Sequence, residues 1–274
     1  MTMNRIAIIL TLALAVNLPL AADAQGQDRQ RPDRPYDVLL VKPATGGSQA
    51  EVVDPKTGKV VFTNAKSQIG ASPRRYPDDA IEWALTQSRV TAVVDGTFKL
   101  NATVSIPLSN TSLIVGPNAE LVATDKQTDP IIKVSCRDDV NVFNLGTLTH
   151  DWHVSGSLGT GVWVDGRNGG KNGIDGGMLF ATGTLNHVGT PYWLIDTANV
   201  KVPLVWSKNF QSTVMAMEGN EDTEIGLAAG LRTDTKKQWR VKKATNEVID
   251  LNAINRRTRI HHLIGTWIEG QQEF

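Results

Sequence analysis

The sequence predicts an all-β chain wound as a parallel solenoid. Three observations predict it. First, an apolar strand, a short polar corner and a second apolar strand recur five times. The first strands are 132–134, 162–164, 193–195, 215–217 and 249–251, and the second begin at Val142, Ile174, Leu204, Ile225 and Ile260. Second, the step from the end of one strand to the start of its partner holds at 8 to 10 residues, while the distance between units runs from 22 to 34. Turns that stack must keep their corners constant and are free to vary their excursions. Third, 24 glycines with only 6% aromatic residues suit a sheet-rich body with many tight corners.

Taken in order, residues 1–24 read as a secretory signal. Arg5 supplies the positive start, 6–16 is apolar apart from Thr11, and Ala22–Asp23–Ala24 is a small-x-small cleavage pattern before Gln25. That apolar run is short for a bilayer span, and no later stretch qualifies, so no membrane insertion is expected after signal removal. The protein is expected to be secreted or periplasmic. Residues 25–36 are polar and proline-bearing and read as a disordered lead-in. Residues 37–76 read as a small β-hairpin and loop, with the turn at Asp54–Pro55–Lys56–Thr57–Gly58.

The main domain is expected over 77–274. It opens with one helix, from Pro77 to about Gln87. Asp78 and Asp79 complement its positive end, and Ile81, Ala84 and Leu85 form an apolar stripe, with Trp83 to one side. A short amphipathic helix at this point would cover the open apolar end of the coil. Four short strands within 92–123 then lead into the five regular units.

Charge narrows the function. Lys+Arg and Asp+Glu are 28 each, so there is no basic excess, and nucleic acid is not an expected partner. Cys136 is the only cysteine; it excludes an internal disulfide and is expected to pack as a small hydrophobe. The Gly-rich excursion 166–177 lacks the Lys–Ser/Thr ending of a phosphate-binding loop.

Three stretches carry a family resemblance: DDAIEWAL at 78–85, AVVDGTFKLNATVSIPLSNTSLIVGPNAELVAT at 92–124, and PIIKV followed by NVFNLGTL at 130–148. They resemble the start of the pectate-lyase-like right-handed parallel β-helix proteins, over roughly 78–270. The resemblance implies a right-handed parallel β-helix with an N-terminal capping helix. The superfamily includes polysaccharide lyases, glycoside hydrolases, esterases, epimerases and phage tail-spike proteins, so fold alone does not assign an activity. The N-T-D, D-D and G-H-G set of the polygalacturonase-type hydrolases is missing, since Asp138–Asp139 is followed by no G-H-G. The Arg-x-Pro-x-x-Arg pattern of one pectate lyase group is missing too. No catalytic residue is carried over.

The candidate site comes from strand geometry. Side chains alternate along a strand, and stacked strands repeat at about 4.8 Å. With Ile132/Val134, Val162/Val164, Trp193/Ile195, Met215/Met217 and Ile249/Leu251 inward, one outward column reads Lys133, Trp163, Leu194, Ala216, Asp250. The other reads Ser135, Asp165, Asp196, Glu218, Asn252. Asp165, Asp196 and Glu218 would repel unless a calcium ion bridged them or one carboxyl kept its proton. They are therefore candidate calcium ligands and candidate catalytic residues, with Arg167 and Lys171 as cations for an acidic sugar. The plainer reading leaves the three carboxylates at strand ends, facing water. Trp163 and Trp152 are candidate sugar platforms and Trp193 is assigned to the core. His150 and His153, in the run His150–Asp151–Trp152–His153, are candidate binding residues on a loop.

Two functions stay open. One is an exported protein that binds or cleaves an acidic polysaccharide, by lyase or hydrolase chemistry, with calcium as the one implied cofactor. The other is a non-catalytic surface, structural or carbohydrate-binding β-helix. In both, an uncovered coil end is expected to self-associate.

Overall fold

The computed structural model describes residues 33–44, 49–64, 68–69, 72–73, 76–124, 130–150, 159–167, 173–186, 188–208, 213–232, 249–252 and 255–267. The expected signal lies outside them. The chain begins with β1 (Tyr36–Pro43), β2 (Ala50–Val53), β3 (Val60–Thr63) and the two-residue strands β4 (Gln68–Ile69) and β5 (Ser72–Pro73). Helix α1 (Pro77–Gln87) follows. Then come β6 (Ser88–Val93), β7 (Gly96–Leu100) and β8 (Val104–Ile106). Next are β9 (Ser112–Val115), β10 (Ala119–Ala123) and β11 (Ile132–Ser135). The chain goes on through β12 (Asn141–Asn144), β13 (Thr147–His150) and β14 (Thr160–Asp165). After β15 (Ile174–Asp175) come β16 (Met178–Ala181), β17 (Thr184–Asn186) and β18 (Thr190–Ile195). The last are β19 (Thr197–Ala198), β20 (Lys201–Lys208), β21 (Met215–Glu218), β22 (Glu224–Arg232), β23 (Ile249–Asn252) and β24 (Arg259–Trp267).

The chain is all-β apart from α1, and three sheets carry nearly all of it. A long sheet runs β24-β22-β20-β16-β12-β9-β6-β1-β2-β3; it is parallel throughout except for β1–β2–β3. A four-stranded parallel sheet runs β17-β13-β10-β7, and a six-stranded parallel sheet runs β23-β21-β18-β14-β11-β8. From β6 to β18 the chain visits the long, four-stranded and six-stranded sheets in that order, four times over. From β20 onward the described residues alternate between the long and six-stranded sheets. The two-strand unit of the sequence is thus part of a three-strand circuit. The strands of the four-stranded sheet are three to five residues long, too short to show a period in the sequence.

The core lies between the sheets. In the six-stranded sheet Val104, Ile132, Val162, Tyr192 and Met215 form one buried column, and Ile106, Val134, Val164, Leu194 and Met217 another. Each fully buried side chain of this size contributes about 1.5–3 kcal/mol. The columns lose their cover at the last strand: Met217 is 0% exposed, while Leu251, its partner on β23, is 53% exposed. At the other end α1 packs its buried Ala80, Ile81, Ala84 and Leu85 against β1, β2, β6, β7 and β8. Pro77 presets its first turn, and Asp79 accepts the Tyr76 N–H at 3.4 Å. Trp83, to the side of the stripe, stacks on Phe62 of β3 at 4.6 Å. The hairpin is continuous with the main body, because β1 pairs in parallel with β6.

Left-handed residues set the corners. Asn110, Asp139, Gly176, Asn199, Asp222 and Arg257 all have φ between 50° and 78°, each just before a strand of the long sheet. The N–H groups of the first five donate to the chain of the next circuit, as Asn110 does to Asp138, Asp139 to Asp175 and Asn199 to Glu221. Asn, Asp and Gly tolerate this conformation best, which explains five of the six. Asp196 and Gly219, three residues earlier, are left-handed as well. This pair of positions gives the corner its constant length.

Two expected strand starts shift. Ile174 belongs to a short corner ladder with Thr197, and the strand of the long sheet starts at Met178 instead. Thr197 stands the same four residues before its paired strand position Lys201, so Ile174 is a corner residue and Met178 the start of the strand. Leu204 lies beside Phe180 on the outer side, and Val202 takes the inward position. Inside the corner, buried Asn220 accepts from the Thr197 N–H (3.1 Å) and hydroxyl (2.8 Å), and donates to the Leu194 carbonyl (3.0 Å). Asn255 repeats the move, accepting from the Asn220 N–H at 3.0 Å. Asn220→Ala strands several buried polar groups at once, and urea denaturation is expected to show a loss of about 2–3 kcal/mol.

Candidate functional site

The site lies on the outer face of the six-stranded sheet. Register there sets Lys133 beside Trp163, Trp163 beside Trp193, and Trp193 beside Ala216. The outward column therefore reads Ser105, Lys133, Trp163, Trp193, Ala216. This corrects the expectation at one strand. On β18 the inward residues are Tyr192 and Leu194, both fully buried, and Trp193 faces out. The stretch Pro191–Tyr192–Trp193–Leu194–Ile195 is apolar at every position, so alternation alone cannot read its register. Structure selects it through Tyr192, whose ring fills the core and whose hydroxyl accepts from the Asn144 amide at 3.4 Å. Burial pushes the Tyr192 phenol up to about 12.

That one-residue slip also removes the acidic column. Ile195, not Asp196, stands between Asp165 and Glu218 in the register. Asp196 sits at the corner with φ 49°. Asp165 and Glu218 are two strands apart, about 9–10 Å at the usual spacing. Among the described residues no group of three or more His, Cys, Asp or Glu side chains is placed to hold a metal ion. Asp165, Asp196 and Glu218 are thus not gathered into the expected calcium site.

Asp165 has other partners. It is buried, and Arg167 grips it with Nε to Oδ1 at 2.9 Å and Nη2 to Oδ2 at 3.0 Å. The Arg167 N–H donates to Oδ1 at 3.2 Å, and Lys133 Nζ lies 3.7 Å from Oδ2. The Arg167 hydrogen bonds, helped by the charges of Arg167 and Lys133, outweigh burial and hold the Asp165 carboxyl below its ordinary range. A carboxyl so held stays ionised and has no proton to donate near neutral pH.

The same two cations engage Trp163. Lys133 Nζ is 4.9 Å and Arg167 Cζ 5.1 Å from the ring centroid. Trp163 in turn stacks on Trp193, with centroids 5.3 Å apart and planes 13° from parallel. Neither indole N–H has a hydrogen-bond partner in the structure. The whole is a cation–aromatic–aromatic stack along the sheet, pinned by one carboxylate. Trp163 faces outward as its strand alternation predicts, and Arg167, a candidate cation for an acidic sugar, is engaged with Asp165. Trp193 was missed, for want of alternation on its strand.

The remaining candidates divide. His150 is not a loop residue. It ends β13 beside Ala123, faces the core almost fully buried, and approaches the Thr160 carbonyl at 3.3 Å. Gly159 packs against its ring, where a Cβ would collide. Apolar neighbours on both strands turn this histidine inward. Trp152, His153 and Lys171 lie outside the described residues. Cys136 is half-buried at a left-handed corner, φ 48°.

The fold and face together define an all-β protein with parallel sheets and a half-buried aromatic–cationic stack on the outer side of one of them. No family model, curated protein or solved structure matches the chain.

The corrected register predicts opposite costs for neighbouring residues. Tyr192→Ala is expected to lose about 3–5 kcal/mol and Trp193→Ala about 1–2 kcal/mol in denaturant titrations. Asp165 predicts a pH signature. Its folded pKa is depressed, so its contribution is present above the unfolded carboxylate value and fades as pH falls through the folded one. The stability deficit of Asp165→Asn is therefore expected to be full at pH 6–7 and to shrink below about pH 4. A deficit independent of pH would refute the ion-pair account.

Proposed function

We propose that this chain is a right-handed parallel β-helix, similar to the pectate-lyase-like superfamily, which is exported to the periplasm or medium and binds a polysaccharide. The coil reading is supported by three parallel ladders entered in a repeating order, with α1 packed on the first circuit. Right-handedness follows the rule for parallel crossovers. Export rests on the leader pattern at 1–24. Among the described residues no helix is long and apolar enough to cross a membrane.

The observation that carries the binding reading is the stack of Trp163 and Trp193 on the outer face of the six-stranded sheet. Aromatic faces with polar groups at their edge suit sugar rings, which have an apolar face and a hydroxyl rim. Lys133 and Arg167 gather around the Asp165 carboxylate at the Trp163 end of the stack, with Glu218 and Asp196 also in the field of Arg167, so an acidic sugar would be held by their N–H donors and not by an excess of positive charge. Binding is favoured over cleavage because Asp165 is held ionised by Arg167 and does not supply a general acid.

A panel of uronate-containing and neutral polysaccharides tests this, read by tryptophan fluorescence and by absorbance of unsaturated products. At least one polymer is expected to quench fluorescence without new absorbance. Trp193→Ala is expected to weaken that binding by about tenfold or more, the range of one lost aromatic contact. Absence of binding across the panel would overturn the proposal, and release of unsaturated products would replace it with the lyase reading.

A further inference from the structure

We propose that the end of the sheet stack at β23 and β24 is a self-docking surface, on which a second copy of this chain packs tail to tail in a closed dimer. This surface shares no residue with the aromatic–cationic stack, so the dimer is independent of the polysaccharide reading. The two ends of the stack differ. At the first circuit each sheet edge is met. β1 pairs with β6 and continues the long sheet into the antiparallel β2 and β3. Two carboxylates of α1 receive backbone donors from the other two sheets. Glu82 Oε1 accepts the Ser105 N–H of β8 at 2.7 Å, and Asp78 Oδ1 accepts the Asn101 N–H, just past β7, at 2.9 Å. The helix thus covers that end with apolar side chains and with acceptors.

The other end is open. Among the described residues no strand pairs beyond β23 in the six-stranded sheet or beyond β24 in the long one. The core columns run out there into exposed side chains. Val205 and Ala228 are fully buried, and Leu263, next in that column, is 53% exposed. Leu251 ends the Met217 column in the same way, and Ile264 beside Leu263 is 54% exposed. β24 presents nine residues of edge backbone flanked by these side chains, and such an edge is a template for a further strand.

Two features make a second copy the occupant. The first is closure. Because α1 covers the opposite end, copies do not stack head to tail; the open end meets its own equivalent about a two-fold axis, which closes after two chains. The second is the sequence of β24, which is self-complementary when paired antiparallel to itself about Leu263. That register sets Arg259 opposite Trp267, His261 opposite Gly265, His262 opposite Ile264 and Leu263 opposite its own copy. No like charges face each other, and all nine residues pair. Nearby charges are engaged within the chain, Arg257 by Glu221 and Asp222, and His261 by Glu224.

Sedimentation of the full chain over a wide concentration range is expected to show monomer and dimer and nothing larger. Leu263→Lys, which sets two like charges against each other on the axis, is expected to weaken dimerisation about tenfold or more. Leu263→Cys in a Cys136→Ser background is expected to give a disulfide-linked dimer with oxidised glutathione, since a residue on the two-fold axis meets its own copy within bridging distance. The cross-link decides alone if Leu263→Lys does not fold. A chain that stays monomeric at every concentration overturns the proposal and leaves this end to another segment of the chain or a different partner. Open-ended assemblies overturn it too and point to pairing of β24 with the opposite edge at β3, where Val60 is exposed. So does a dimer that a folded Leu263→Lys leaves intact, or one that fails to cross-link at position 263.

Discussion

In-register parallel pairing is the constraint on which everything else here depends. A strand that pairs with the one before it has its inside and outside decided by that neighbour, not by its own pattern. The corners enforce it. Five residues separate Ser135 from Asn141, Ile195 from Lys201, and Glu218 from Glu224, each a passage from the six-stranded to the long sheet. Left-handed residues stand at both ends of each passage: Cys136 and Asp139, Asp196 and Asn199, Gly219 and Asp222. A corner of fixed length with two reversed residues delivers each strand to the same register. Buried amides then join the corners, since Asn220 holds Thr197 and Asn255 holds Asn220.

The excursion at 166–177 shows what the corner does when it is interrupted. Arg167 follows Gly166, as Thr197 follows Asp196 and Asn220 follows Gly219. In those two circuits the side chain turns inward and joins the amide ladder. Arg167 instead reaches back to Asp165 and lies over Trp163. Ile174, after the excursion, fills the inward corner place beside Thr197, and Arg167, before it, stays on the outer face. The charged part of the candidate site is built from the place where the repeat breaks.

Much of this was legible in the sequence, for identifiable reasons. Lys133 between Ile132 and Val134, or Ala216 between Met215 and Met217, shows its face by contrast with its neighbours. Parallel pairing then places Trp163 and Asp165 without further information. Legibility failed where contrast failed. The apolar stretch around Trp193 has no polar residue to mark its outer side, and Asp196 looked outward only because Trp193 was taken as inward. His150 misled in the opposite sense, because a polar type suggested a loop where strand pairing put it in the core. The four-stranded sheet escaped notice because its strands are too short to show a period.

The slip at β18 changes the chemistry the face can support. Three carboxylates in line would have needed a cation or a proton to coexist. With Ile195 between them, Asp165 and Glu218 are separated and meet different surroundings. Asp165 is buried under Arg167 and Lys133, where its charge orients two cations over an aromatic ring. Glu218 lies on the outer face with Ala216, one strand beyond Trp193. A buried ion pair adds little net stability unless its geometry is good, but it fixes conformation when the geometry is this close to bidentate. Asp165 is then best understood as the residue that positions Arg167. Freed from that pair, Arg167 would be a flexible surface side chain, and Trp163 would lose the cation that keeps one end of the stack positive.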